Sequence, residues 1–267
     1  PDNDNNCQVE IVIYDIDGAF NIGGYFSPGT AATREVVYID FADITLAWGK
    51  SIIAHELQHL LHNAQDPYEN LWLDEGNADV AIYLCFGADG TLAGHLNGWT
   101  QQSDLSVRWW NQRNGDYGAG FIFTMYLADH LGGGPAVRQL VQDSATGGLG
   151  VENLALSPVS GQSGKIGRTM GEIFANFSIA ATIDSDQGIY GFSNLDLNPS
   201  CGGSTFCRIT PADTNSDWST PWSSTGHTME GWGIRSFKFT PGAASPAPLT
   251  LRVTSDVSNF DGVLVYK

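Results

Sequence analysis

The sequence predicts an α+β protein, because strand-like and helix-like stretches occupy separate parts of the chain. Runs of β-branched and aromatic residues come first, a long middle section carries apolar residues at helical spacing, and strand-like runs return after Asp184. This order favours α+β over a wound parallel sheet, in which strands and helices would alternate. The 267 residues, 42% of them hydrophobic, suffice to bury a substantial core.

Two strands are predicted near the N-terminus, from Val9 to Tyr14 and from Glu35 to Phe41, each bounded by Gly, Pro or Asp. The glycine-rich stretch between them, from about Gly18 to Gly29, is predicted to be a hairpin or a loop. The chain therefore opens with a β-containing region.

Five segments in the middle of the chain combine helical spacing of apolar residues with good helix formers. Three glycines and Pro135 end the third of them. The stretch from Ser144 to Gly167 is rich in Gly and Ser and is predicted to be a loop. The predicted helices run from Ile52 to His62, Leu71 to Tyr83, Gly120 to Leu131, Ala136 to Asp143 and Met170 to Ile183.

The composition changes after Asp184, where Gly, Ser, Thr, Pro and Trp dominate. We expect residues 1–184 to form the main domain, and residues 185–267 either to complete its second lobe or to form a small β module. The aromatic-rich segment from Trp218 to Trp232 is expected to pack in a core rather than to line a binding surface. Strands are predicted at Ser236 to Thr240, Leu249 to Thr254 and Gly262 to Tyr266, with the linker PGAASPAP between the first two.

The chain is strongly acidic, with 12 Lys and Arg against 29 Asp and Glu and a formal net charge of −17. Such a chain repels phosphate backbones and anionic lipid surfaces, so nucleic acid and membranes are excluded as expected partners. Clustered carboxylates could bind Ca²⁺, and Asp15 and Asp17 begin a calcium-loop-like sequence. The rest of an EF-hand is missing, so a turn is expected there, and Asp184 with Asp186 is interpreted in the same way.

The sequence contains four cysteines. Cys201 and Cys207 flank a short Gly/Ser-rich loop and are predicted to pair, which leaves Cys7 to pair with Cys85. Buried reduced thiols are the alternative. A cysteine-built zinc site has no support, because no CxxC motif occurs.

The sequence His55-Glu56-Leu57-Gln58-His59 indicates a metal site. On a helix, residues four apart project from one face, so His55 and His59 could chelate one zinc ion. Glu56 between them could then act on an activated water. A catalytic zinc site needs a third protein ligand and an open position for water.

Glu75 is the candidate for that third ligand, because the fifteen residues between it and His59 allow one helix to end and a second to return alongside. Asp79 lies one helical turn further, where it could hydrogen-bond a ligating histidine and fix its tautomer. Asp74 is expected to point elsewhere, as a cap or a solvated charge.

The combination HELQH followed by WLDEG resembles the gluzincins, the zinc peptidases related to thermolysin and aminopeptidase N. It is most similar to the hyicolysin-like secreted metallopeptidases, and the aspartate four residues after the glutamate resembles a thermolysin feature. The resemblance covers about residues 50 to 135. It implies zinc bound by His55, His59 and Glu75, with Glu56 as the general base. It also implies a two-lobed thermolysin-like fold with the zinc helix between a β-containing lobe and a mainly helical lobe.

A second segment, Asp116 to Gly120 followed by FIFTMYLADHLGG, resembles a stretch of the aminopeptidase N family in which a tyrosine stabilises the oxyanion. The match falls on Tyr117, which could instead be a tyrosine packed at a helix start. An edge strand, such as Glu35 to Phe41, is expected to pair with the backbone of an extended substrate.

The other histidines are weaker candidates. His62 does not fit metzincin spacing, because residue 65 is Gln, and it is expected to be solvated or hydrogen-bonded. His95 and His130 have no partner pattern. His227 lies late in the chain, as does the oxyanion-assisting histidine of thermolysin, but its flanking residues do not match.

The predicted function is a secreted, extracellular and monomeric zinc endopeptidase that acts on protein or peptide substrates. The opening PDNDNN is an unusual translation start, so a processed mature enzyme is expected. An aminopeptidase is the alternative, but no GxMEN-type amine-binding segment precedes the zinc helix. A second alternative is a non-catalytic binding module on a degenerate metallopeptidase fold.

Overall fold

The computed structural model describes residues 6–157, 161–199, 205–218, 222–240, 250–255 and 261–265. Within these ranges the chain forms nine helices and two small sheets, which is compatible with the predicted α+β class.

The N-terminal sheet has three strands, β1 (Glu10–Tyr14), β2 (Gly24–Phe26) and β3 (Val36–Asp40), in the order β1-β3-β2. β3 pairs parallel with β1 and antiparallel with β2, where Tyr25 faces Tyr38. The prediction of β1 and β3 is confirmed, but β3 is central, so its interpretation as an edge strand is wrong. The two edges are β1 and β2, and β2 lies in the stretch predicted to be a hairpin or a loop.

Two short helices flank β3 on the chain, α1 (Pro28–Ala31) and α2 (Phe41–Ile44). Asp40 caps α2 by accepting hydrogen bonds from the backbone N–H groups of Ala42 and Asp43. Its carboxylate also accepts from the N–H groups of Ile16 and Asp17, at 2.6 and 3.3 Å. One buried side chain therefore holds the loop after β1 against the end of β3.

Four longer helices form the centre of the molecule: α3 (Gly49–Gln65), α4 (Leu71–Phe86), α5 (Gly90–Thr100) and α6 (Asn114–Leu131). α3 packs against β2 and β3 on one side and against α4 on the other. α6 is buried along almost its whole length, as expected of a helix that is apolar on every face.

Glycines permit the closest helix contacts in this centre. A Cβ atom at Gly76 of α4 would lie 2.5 Å from the carbonyl oxygen of Gly120 in α6, and one at Gly118 would lie 2.1 Å from that of His95 in α5. Only glycine leaves room for these backbone approaches, which bring α4 and α5 onto α6 next to Tyr117.

Three further helices complete the helical part, α7 (Gly134–Gln142), α8 (Gly148–Leu156) and α9 (Met170–Ile183). α9 has the predicted bounds and begins with a capping box between Thr169 and Glu172. The loop prediction for residues 144–167 is wrong over α8. This helix forms because Val151, Leu154 and Ala155 are buried in the main core, which outweighs its glycines.

The tail contributes a two-stranded parallel sheet of β4 (Asp213–Asn215) and β5 (Phe237–Phe239). β5 confirms one predicted strand, whereas residues 250–255 and 261–265 form no strand. The linker PGAASPAP lies outside the described residues. Several tail side chains join the hydrophobic core of the helices, among them Leu195, Phe206, Ile209 and Ile234.

The cysteine predictions have different outcomes. No disulfide joins Cys7 to Cys85, and both residues are exposed. Cys201 lies outside the described residues, so its pairing with the buried Cys207 stays a prediction. No helix in the described ranges has the length and apolar character needed to cross a bilayer.

Candidate metal centre

α3 and α4 bring His55, His59 and Glu75 together, with one potential ligand atom from each within 4.8 Å of the others. Glu75 Oε2 lies 3.1 Å from His55 Nε2 and 3.5 Å from His59 Nε2. Within the described residues this is the one His, Cys, Asp or Glu group that could hold a metal ion.

The local sequence explains this convergence. His55 and His59 lie one helical turn apart on α3, and their ring centroids are 4.7 Å apart. α3 ends at Gln65, since Pro67 follows closely and cannot continue the helix, and α4 begins at Leu71. The short connection makes α4 return antiparallel to α3, which places Glu75 opposite the two histidines.

The Nδ1 atom of each of the two histidines faces a carboxylate. His55 Nδ1 lies 3.1 Å from Asp79 Oδ1, and His59 Nδ1 lies 2.9 Å from Asp74 Oδ2. The expectation that Asp74 points elsewhere is wrong. It faces His59, because the Nδ1 atoms of His55 and His59 point toward different turns of α4. Nδ1 hydrogen bonds of this kind leave each Nε2 available as a ligand.

His62 lies next to Asp74 and is 1% exposed. Its Nδ1 is 2.8 Å from Asp74 Oδ1, so Asp74 lies between His59 and His62. Of the two alternatives expected for His62, solvated or hydrogen-bonded, the structure supports the second. Burial alone would raise the pKa of Asp74, but hydrogen bonds from His59 and His62 lower it well below its usual range.

His95 belongs to this site, although it has no partner pattern in the sequence. Its Nδ1 lies 2.7 Å from Asp79 Oδ2, so the fully buried Asp79 bridges His55 and His95. Burial opposes ionisation of Asp79, but the two histidines lower its pKa to about 2. His95 lies sixteen residues after Asp79 in the sequence. The helix that carries it, α5, was not predicted because it contains several glycines.

Tyr117, in the first turn of α6, borders the same site. Its ring is stacked on His95, with centroids 4.6 Å apart and planes at 22°, and Trp110 meets it edge-on, also at 4.6 Å. The centroid of the His55 ring is 6.0 Å away. Burial, followed by the charges of Glu75 and Asp79, raises the pKa of Tyr117 above its usual value, so the phenol keeps its proton and can donate a hydrogen bond.

Glu56 is 7% exposed and lies beside β2. Its carboxylate accepts a hydrogen bond from the Phe26 backbone, and its Cγ atom would be 3.1 Å from a Cβ at Gly24. Burial raises the pKa of Glu56, and the two neighbouring histidines offset part of that rise. The glycine at position 24 thus leaves room for Ile52 and Glu56 of α3 to pack against β2.

The remaining candidates have other partners. His130 Nε2 lies 3.0 Å from the Gly191 carbonyl oxygen, and burial lowers the pKa of this histidine. His227 contacts Ser224, Arg235 and Phe237, none of which belongs to the metal site. Asp17 and Asp184 accept backbone hydrogen bonds, as the turn interpretation expects.

Comparison with known proteins shows a distant similarity to a metalloprotease. No protein-family profile matches the chain. The chain is similar to the neutral metalloprotease ShpI of Staphylococcus hyicus, with 26% identity over 225 residues. The similarity covers 72% of this chain and 50% of the relative, so the chain spans about half the length of the curated protein it matches. This distant similarity supports a relationship to metallopeptidases.

Proposed function

We propose that this chain is a secreted zinc-dependent peptidase that cleaves internal peptide bonds of proteins. One observation carries the proposal. His55, His59 and Glu75 converge within 4.8 Å, and Glu56 lies next to the first histidine on the same helix. The similarity to a neutral metalloprotease supports the same reaction class.

The donor atoms fit zinc. Two imidazole nitrogens and one carboxylate oxygen form a three-ligand set typical of catalytic zinc, which keeps a further position open. Asp79 and Asp74 behind the two histidines would fix their tautomers and strengthen their binding. A zinc ion held here would act as a Lewis acid and lower the pKa of a coordinated water to about 7.

Glu56 is the proposed general base. Its burial on the side of α3 that faces β2 keeps the carboxylate out of bulk water, and a hydrogen bond from the Phe26 backbone holds it in place. It would accept a proton from the attacking water and pass that proton to the leaving amine nitrogen.

Tyr117 is the proposed donor to the oxyanion that forms on the attacked carbonyl. His95 and Trp110 restrain its ring from two sides, so its hydroxyl needs little reorganisation during the reaction. A fixed donor of this kind contributes about 3 kcal/mol to transition-state stabilisation.

The substrate would bind as an extended strand along β2. This is the edge strand next to Glu56, and an edge strand offers unpaired backbone groups to another chain. β2 thereby takes the role that the sequence suggested for Glu35 to Phe41. Binding through the backbone of a long peptide favours an endopeptidase over an aminopeptidase.

The architecture proposed around this cleft is two-lobed and thermolysin-like, with α3 between the N-terminal sheet and the helices from α4 onward. We propose residues 1–184 as the catalytic domain. The tail would complete the second lobe, since Ile209 and Ile234 pack in the helical core. A monomer acting outside the cell, with no nucleic-acid or membrane partner, completes the proposal.

Glu56→Gln tests the proposed function. The variant should bind the same amount of zinc as the parent, because Glu56 is not among the ligands, yet it should lose turnover of casein. Casein digestion at the parent rate would contradict the role of Glu56. Zinc binding by a parent that cleaves no protein would instead favour a non-catalytic binding module.

A second measurement separates the two peptidase classes. The parent should cleave an internally cleavable peptide blocked at both ends and leave an aminoacyl-anilide intact. Hydrolysis of the anilide alone would identify an aminopeptidase.

A further inference from the structure

An open cavity of about 610 Å³ lies between the α5–α6 connection and the tail. It is lined by Ser106, Arg108, Trp109, Glu230, Gly231 and Trp232. Trp109 is 61% exposed, so a large aromatic surface faces solvent at this cavity. No step of the proposed mechanism uses these side chains.

Backbone hydrogen bonds hold together the two segments that line the cavity. The Val107 N–H donates a hydrogen bond to the Trp232 carbonyl at 3.1 Å, and the Ile234 N–H donates one to the Ser103 carbonyl at 2.6 Å. Gly233 fits closely against the connection, because a Cβ atom there would lie 2.4 Å from the Asp104 carbonyl oxygen. The walls are therefore preformed.

Trp232 adopts an uncommon backbone conformation, with φ at +67°. A bulky side chain rarely occupies this left-handed region unless its surroundings impose it. The indole is held between two groups, since the Arg108 Cζ atom lies 4.7 Å from its ring centroid and Phe174 packs edge-on at 5.3 Å. This conformation sets the Trp232 ring beneath the Arg108 guanidinium.

The two charged side chains of the cavity differ in their partners. Arg113 contacts both oxygens of Glu230, at 2.8 and 3.2 Å, and the Ser106 N–H donates to the same carboxylate at 2.8 Å. These bonds hold the pKa of Glu230 below its usual range and compensate its charge. Arg108 forms no ion pair within the described residues. Its guanidinium lies over the Trp232 ring face and close to Gly148, where a Cβ atom would be 3.4 Å from Arg108 Nη2.

Two series of side-chain contacts link the cavity to the proposed active site. Trp110, the residue after Trp109, packs edge-on against Tyr117 at 4.6 Å. Arg113, which binds Glu230, also binds Asp116, the residue before Tyr117, at 2.8 Å. Since an extended peptide advances about 3.3 Å per residue, a side chain close to the scissile bond could reach the cavity.

We propose that this cavity is a substrate subsite that binds an acidic side chain of the peptide through Arg108, with Trp109 and Trp232 as walls. A guanidinium presents paired N–H donors that match a carboxylate, and the indole faces suit the aliphatic part of Asp or Glu. The inference rests on the proposed function, because the subsite has its purpose only beside a peptide-cleaving centre. It adds a side-chain preference to that function.

Cleavage-site mapping in a mixed peptide pool tests the subsite with the zinc-loaded chain. The parent should select Asp or Glu at one fixed position relative to the cleaved bond, and Arg108→Gln should reduce that selection about tenfold or more. Arg108→Lys, which keeps the charge without the paired donors, should retain part of it. Arg138→Gln is the matched control, because it removes one positive charge from an exposed position on α7.

Three outcomes would overturn the subsite: no acidic selection by the parent, selection of aromatic side chains alone, or acidic selection that survives Arg108→Gln. If the parent cleaves nothing, the proposed function is contradicted, and the subsite is then tested separately by measuring peptide binding. Calorimetry with blocked peptides should then show Asp-containing peptides binding about tenfold tighter than their Asn counterparts. That difference should vanish in Arg108→Gln, and equal binding of both peptides by the parent would contradict the subsite.

Discussion

The imidazole of His95 lies 2.7 Å, through Nδ1, from the Asp79 carboxylate, whose other oxygen lies 3.1 Å from His55. The same imidazole is stacked on Tyr117. One side chain thus touches both the carboxylate that orients a proposed metal ligand and the proposed oxyanion donor. Two substitutions can separate these contacts, because Asn retains a donor for Asp79 and Phe retains a ring for Tyr117.

We expect His95→Phe to weaken zinc binding, since it leaves one oxygen of the buried Asp79 without its partner, and to change kcat only slightly. His95→Asn should retain zinc affinity and lower kcat, because Tyr117 loses its stacking partner. Zinc competition titrations and steady-state kinetics with a blocked peptide provide both readouts.

A double-mutant cycle with Tyr117→Phe checks the second contact. If His95 acts on turnover through Tyr117, His95→Asn should reduce kcat much less in the Tyr117→Phe background than in the parent. Additive effects on kcat would show that His95 does not position Tyr117. An inactive parent would instead refute the proposed function, so the two failures can be told apart.

Asp74 provides a second prediction, because its carboxylate lies between His59 and His62. Asp74→Asn should weaken zinc affinity about 10- to 100-fold, as is typical for loss of a carboxylate behind a ligating histidine. Asp143→Asn removes a carboxylate outside the metal site and serves as the control. Unchanged zinc affinity in Asp74→Asn would mean that His59 does not depend on this partner.

Much of the candidate site could be predicted from local sequence. Helical spacing in α3 and the fifteen residues between His59 and Glu75 allowed the prediction that His55, His59 and Glu75 meet. The capping box of α9 likewise marks its start at Thr169. In these cases the relevant interactions lie within one helix or between two helices joined by a short loop.

The parts that were missed depend on contacts between distant segments. β2 is three residues long and exists because it pairs with β3. α5 contains three glycines and is held by burial of Leu92, Leu96 and Trp99 rather than by helix propensity. His95 could not be assigned a partner without that helix, and the direction of Asp74 depends on how α3 and α4 face each other.

The contact between Gly76 and Gly120 provides a prediction about stability. Gly120→Ala should lower the free energy of unfolding by about 1–3 kcal/mol, because its Cβ atom would lie 2.6 Å from the Trp72 carbonyl oxygen of α4. Zinc affinity should fall as well, since α4 carries Glu75 and Asp79. Urea denaturation and zinc titration measure the two effects.

Gly94→Ala is the matched control for that prediction, because a Cβ atom at this helical position in α5 meets nothing within 4 Å. It should leave the protein as stable as the parent or raise its stability by about 0.5–1 kcal/mol through helix propensity. Equal stability of Gly120→Ala and the parent would contradict the close α4–α6 contact.

Asp40 provides a prediction about pH. Burial by itself would raise the pKa of this carboxyl, but four backbone N–H groups, those of Ile16, Asp17, Ala42 and Asp43, lower it. A pKa lower in the folded than in the unfolded state stabilises the fold above the unfolded value, about 3.9. That stabilisation is lost as the pH falls from there through the folded value. Asp40→Asn removes the titration and leaves one acceptor oxygen for these donors.

The stability difference between the parent and Asp40→Asn should therefore be constant from pH 7 to pH 5 and should shrink below about pH 4. Comparing the two proteins at each pH cancels the titration of the carboxylates they share, including those of the metal site. Urea denaturation at pH 7, 5 and 3.5 measures the difference. A difference equally large at pH 3.5 and pH 7 would show that Asp40 stabilises the fold without depending on its charge, and that the loop after β1 is held in another way.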